Sequence, residues 1–162
     1  MKRIFLFIMA VFALCLQNVN AQDAIKIITG HPDFNIKVKR CVASDKTVLI
    51  DMVFINEGTQ DVNRVKIHLG NRGSLAYDDE GNIYEGGYDQ NISIKIANRE
   101  YDPWYTSDFE ILAGVPTKVT MKIKGVSLEA QSFAKIIMNF DCPAWDFNNS
   151  PVTLRNIPIS RK

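Results

Sequence analysis

The chain has 162 residues, 46% of them hydrophobic and 23% charged, with 19 basic residues against 18 acidic ones. A net charge of +1 makes no strong field of either sign, which excludes the electrostatic footprint of a nucleic-acid binder or of a protein held on an anionic membrane. The length suits one domain able to bury a core without metal ions or a dense set of disulfides.

In chain order, Lys2 and Arg3 precede an almost unbroken apolar run, Ile4 to Leu16, followed by polar Gln17-Asn18 and then Val19-Asn20-Ala21. The run falls short of the roughly 20 residues that span a bilayer, and the basic, apolar, small-residue order is that of an export signal. Residues 1–21 are therefore expected to be a signal peptide cleaved after Ala21. Cys15 would suit a lipoprotein signal, but bulky Leu14 stands where such a signal wants Gly, Ala or Ser. Residues 22–162 would then form a single domain carrying 17 basic and 18 acidic residues. No second long apolar run follows, so no transmembrane segment is expected in the mature chain. The expected location is secreted, periplasmic or at the cell envelope.

Beyond Ala21 the dominant pattern has period two. Phe34, Ile36 and Val38 alternate with Asn35, Lys37 and Lys39. Val65, Ile67 and Leu69 alternate with Lys66 and His68, and Ile92, Ile94 and Ile96 with Ser93 and Lys95. Val119, Met121 and Ile123 alternate with Lys118, Thr120, Lys122 and Lys124. Each predicts a half-buried strand whose lysines stay in water. Val48–Ile55 and Phe133–Phe140 are apolar on both faces and rich in β-branched and aromatic residues, which predicts central strands. Asn56-Glu57-Gly58 ends the first of these. Asp78-Asp79-Glu80-Gly81-Asn82 suits a hairpin turn with a left-handed glycine, Gly86-Gly87 breaks the next short strand, and Gly114-Val115-Pro116 introduces the strand at Val119. Gly125–Gln131 is expected to make one helical turn between sheets. Pro151 opens a last strand, Val152 to Ile159, in which Pro158 takes an edge or strand-end position. The expected fold class is all-β, an immunoglobulin-like antiparallel β-sandwich of roughly eight to ten strands.

The stretch VLIDMVFINEG (48–58), the hairpin AYDDEGNIY (76–84), and the later strands at Val115-Pro116 and Phe133 follow in an order that resembles the bacterial extracellular telokin-like domains. The resemblance implies an immunoglobulin-like sandwich in a secreted or surface protein, and it brings no catalytic residues.

Residues 22–162 keep two of the three cysteines, Cys41 and Cys142. In an oxidising compartment such a pair is expected to form a disulfide, the alternative being two separate thiols too far apart to join. Only His31, in a Gly-His-Pro turn, and His68, on the wet face of a strand, could act as general bases, and neither has a partner by spacing. No nucleophile elbow, metal-binding His pair or phosphate-cradling loop occurs, so the protein is not expected to be an enzyme and no cofactor is implied. The acidic turn Asp78, Asp79, Glu80 is a weak calcium candidate, already explained by hairpin chemistry. Tyr101, Trp104, Tyr105 and Trp145 lie in polar loops. They are candidate ligand-binding residues, since flat rings give large contact area at low entropy cost; equally, such rings plug the ends of a sandwich core. The expectation is a non-catalytic interaction domain that meets a protein or envelope component through a sheet edge or the aromatic loops. The alternative is a carbohydrate or small-ligand binder using the same aromatics.

Overall fold

The computed structural model describes residues 24–70, 73–101, 106, 108–145, 147 and 151–161. The expected signal peptide and the candidates Trp104 and Tyr105 lie outside the described residues. Among the described residues thirteen strands follow in chain order: β1 Lys26–Ile28, β2 Phe34–Ser44, β3 Thr47–Asn56, β4 Val62–His68, β5 Ser74–Asp78, β6 Ile83–Glu85, β7 Ile92–Ile96, β8 Arg99–Glu100, β9 Phe109–Ile111, β10 Thr117–Lys124, β11 Ser132–Asp141, β12 Val152–Pro158 and β13 Ser160–Arg161. They form an all-β sandwich of two sheets. The first runs β1-β12-β11-β4-β9, with β5 lying on the early part of β11 and β6 on β5; the second runs β13-β2-β3-β10-β7-β8. All pairings between strands are antiparallel except β13 on β2.

The period-two segments lie where their chemistry sends them. The two doubly apolar segments are β3, held between β2 and β10, and β11, held between β12 and the pair β4 and β5. Along the strands the apolar set enters the space between the sheets. Phe34, Phe54, Phe133, Met52 and Met121 are among the largest fully buried side chains, each stabilising by about 1.5–3 kcal/mol relative to exposure. Pro158 closes β12, where a missing N–H costs no ladder bond.

Three expectations change. The strand count exceeds eight to ten, because β1, β8 and β13 pair over only two or three residues and leave no alternation to read. The predicted last strand to Ile159 is assigned only to Pro158, although Ile159 still donates its N–H to the Gln131 carbonyl (2.8 Å); Ser160–Arg161 then pair in parallel with Val42 and Ala43 of the second sheet. Gly125–Gln131 makes no helical turn. Most of its backbone groups are taken from outside instead. Arg161 donates to the carbonyls of Ser127 (2.6 Å) and Ala130 (3.0 Å), the Tyr84 hydroxyl accepts the Ser127 N–H (3.2 Å), and Asp79 accepts the Gln131 N–H (3.1 Å). Val126 and Ala130 are fully buried, which pins the segment to the core.

Candidate functional site

One end of the sandwich carries an aromatic plug. Trp145 follows β11, Phe34 opens β2 and Phe140 is the last residue but one of β11, so the chain brings all three to one end. The Trp145 ring lies 5.0 Å from Phe34 and 5.9 Å from Phe147, centroid to centroid, and His31 stacks on it at 5.2 Å and 24°. Phe140 touches Phe34, Phe54 and Phe147 at 5.5–5.7 Å. Trp145 is only 4% exposed. Its candidacy as a ligand platform therefore gives way to the plug, because His31, Phe34 and Phe147 already occupy its ring. Tyr101 is half-buried, packs against the core and donates its backbone N–H to the Ile94 carbonyl. The structure thus keeps Tyr101 and Trp145 out of an open loop platform.

Cys41 and Cys142 are both buried free thiols, which corrects the expected disulfide. The cause is distance. The contact of Phe34 with Phe140 puts Cys142, two residues further along, at the plug end. Cys41 lies seven residues down β2 toward the opposite end, roughly 23 Å away along an extended strand. A bridge needs Cα atoms within about 7 Å. Burial pushes the Cys41 thiol up to about 12, against a lesser opposing pull from the Arg161 charge, so it stays protonated and unreactive.

The acidic turn spends its oxygens on the protein. Asp78 is buried and accepts from the Glu80 N–H (3.1 Å), the Asn82 N–H (2.8 Å), the Asn82 side-chain amide (2.9 Å) and the Tyr84 hydroxyl (2.6 Å). Asp79 accepts from Gln131 and Ser132. This network answers the calcium idea for Asp78 and Asp79 with a structural role, and Glu80 is left as an exposed turn residue. Among the described residues no group of three or more His, Cys, Asp or Glu side chains gathers as a metal set. Burial pushes the Asp78 carboxyl up, but the four donors outweigh it and hold the group below the ordinary carboxylate value.

Two open surfaces remain. A depression of about 290 Å³ on the outer face of the second sheet is lined by Arg40, Asp51, Lys95, Glu100, Lys118, Thr120 and Lys122, among others. Arg40, Asp51, Thr120, Lys95 and Glu100 stand directly opposite one another across β2, β3, β10, β7 and β8. Asp51 pairs with Arg40 and accepts from the Thr120 hydroxyl at 2.7 Å. Burial pushes Asp51 up, but the Thr120 hydroxyl and the Arg40 guanidinium prevail and hold it low. This row is internally neutralised.

The second surface is the outer edge of β2. On that side β2 pairs only at Val42 and Ala43, with β13, so Phe34–Cys41 has no strand beside it among the described residues. A cleft of about 270 Å³ runs there, lined by Ile25, Val38, Lys39, Arg40, Cys41, Ile157, Pro158 and Ser160. The cleft exists because β12 turns away at Pro158 before β13 joins β2. Sequence reading missed it, since only pairing shows an edge; the one signal was the proline that stops the neighbouring strand.

No family model matches the chain, and no curated protein does. Among solved structures, a family 123 glycoside hydrolase from Clostridium perfringens, described for glycolipid glycan hydrolysis, is similar over 85% of this chain and 27% of that one, at 14% identity and a TM-score of 0.42. This chain spans about a quarter of that enzyme, and a likeness of this degree carries no conclusion about activity. Among the described residues no helix is long and apolar enough to cross a membrane.

Proposed function

We propose that the protein is an exported, non-catalytic interaction domain that takes an extended, acidic segment of a secreted or envelope protein along the open edge of β2. The reading carries with it the cleaved signal at residues 1–21 and the resemblance to telokin-like domains. One observation supports it above the others: among the described residues the run Phe34–Cys41 is unpaired on its outer side, and a partly apolar cleft flanks it. An added strand would gain main-chain hydrogen bonds there, with side-chain selectivity from the cleft. Lys37 and Lys39 are exposed along the run, Arg40 is taken up by Asp51, and β2 bulges between Val38 and Arg40. Lysines and bulges protect edges against self-pairing, because a second copy would set cation against cation. An acidic partner meets the same charges favourably, so the edge selects against itself and for its complement. The internal balance of the Asp51 row and the burial of Cys41 and Trp145 favour the β2 edge as the surface that meets a partner.

The test is titration of the isotope-labelled protein with an alternating Glu-Val octapeptide, followed by amide shifts. Perturbation centred on Phe34–Cys41, weakened by salt and lost in a Lys37→Glu/Lys39→Glu variant, is the expected result. Shifts confined to other strands, or binding indifferent to charge, would sink the proposal.

A further inference from the structure

The outer face of the first sheet carries a charge pattern opposite in kind to the matched row around Asp51. Lys26 of β1 stands directly opposite Arg155 of β12, Arg155 opposite Lys135 of β11, and Lys135 opposite Tyr77 of β5. Leu154, Ile136 and Ala76, the neighbours of these residues, are fully buried, so period two turns Arg155, Lys135 and Tyr77 outward together. Lys26 and Arg155 are exposed; Lys135 and Tyr77 are half-buried. Neighbouring strands lie about 4.8 Å apart, so the three cations form a rigid line about 10 Å long, with the tyrosine ring continuing it.

Like charges directly opposite one another destabilise a sheet. None of these three cations takes part in an ion pair among the described residues: those found join Arg40 to Asp51 and Lys66 to Asp108. The adjacent row on the same face, Ile28, Thr153, Ile137 and Leu75, is uncharged and ends on Glu85, two strands and one row away from Lys135. A tyrosine, a line of unmatched cations and an uncharged flank on one flat face complement a chain of ring-shaped units that bears anionic groups.

We infer that this face binds a linear acidic polysaccharide, one carrying carboxylate or sulfate groups, across β1, β12, β11 and β5. Arg155, at the centre, grips an anionic group with its planar fork, Lys26 and Lys135 contact the flanking groups, and Tyr77 packs against a sugar ring. An anionic membrane is the weaker occupant, since each lysine or arginine near such a surface raises affinity only about fivefold and three of them hold a protein loosely. The site is on a different sheet and a different kind of surface from the β2 edge, so either assignment can fail without the other.

The experiment is calorimetric titration of the purified protein with heparin, a linear sulfated glycan, in low salt. Expected are binding that weakens more than about tenfold between 50 and 200 mM salt, and losses of roughly fivefold or more in Arg155→Gln and Lys135→Gln. Lys122→Gln, on the opposite face, should bind as the parent does. Thermal unfolding of Arg155→Gln without glycan should occur at or above the parent temperature, because removing the central charge relieves repulsion; a residue present only for structure would show a drop. If Arg155→Gln unfolds early, Lys26→Gln on the exposed β1 supplies the same comparison. The inference is overturned if Arg155→Gln and Lys26→Gln both bind heparin like the parent. It is equally overturned if neutral dextran, polyglutamate or vesicles containing anionic lipid bind as tightly as heparin.

Discussion

Asp78 shows how one side chain can be read for the wrong partner. Acidic residues in a tight turn suggest a cation, yet the carboxylate faces four donors from its own hairpin. The fourth, Tyr84, lies six residues on and is brought back only by the pairing of β5 with β6. Replacing Asp78 by Asn turns one acceptor into a donor aimed at other donors. Stability should fall by about 2–3 kcal/mol in urea titration. The folded carboxyls of Asp78 and Asp51 bind protons less readily than the unfolded ones. Their contribution is therefore present above the unfolded value of about 4 and is lost as pH falls through the lower folded values. Thermal scans from pH 5 to pH 2 should show this decline, and Asp78→Asn should blunt it. Cys41 has the opposite sign. Its folded value near 12 exceeds the ordinary 9.0, so its contribution holds below about pH 9 and is lost as pH rises toward 12. Neither Cys41 nor Cys142 should take up an alkylating reagent in the native protein. Both should do so in denaturant without any reductant; a requirement for reductant would restore the disulfide.

The long strands were legible because each carries four or more alternations, and β3 and β11 because both faces are apolar. Turn chemistry was equally plain: Gly81 adopts φ +87 at the hairpin tip, as the Asp-Glu-Gly-Asn pattern implies. Gly86 was seen only as a strand breaker. Its real constraint is contact: a Cβ there would meet the Leu69 carbonyl oxygen at 2.2 Å, because the end of β6 crosses hard against the end of β4. Gly86→Ala should thus cost about 1–3 kcal/mol and separate β6 from Leu69, measurable by denaturation and by faster amide exchange in Ile83–Glu85. The 125–131 crossing was illegible for a different reason. Locally it has only the Glu129 N–H on the Ser127 hydroxyl and the Gln131 amide on the Glu129 carbonyl, and its other hydrogen bonds come from Tyr84, Asp79 and Arg161, remote in sequence. Asn56 belongs to both kinds. Its place at a strand end was readable, but its buried amide donating to the carbonyls of Gln60 and Ile111 was not.

At the scale of the molecule, the sandwich itself was readable, since alternating strands with polar backs have few other ways to bury one face. The aromatic site was not, because whether a loop ring faces water or core depends on what the opposite strand offers. Here Phe34 and Phe140 offer a surface that Trp145 completes. The open edge and the cationic row are properties of register, invisible until Lys26, Arg155 and Lys135 are set side by side. That same register has a temporal consequence. β1 finds its place only against β12, whose residues lie more than a hundred positions further along the chain. Such distant pairing makes closure slow, on the scale of milliseconds to seconds. Until β12 is in place, β1 has no strand to join. The segment at residues 26–28 is therefore the last margin to be closed, joining only once the far end of the chain has arrived.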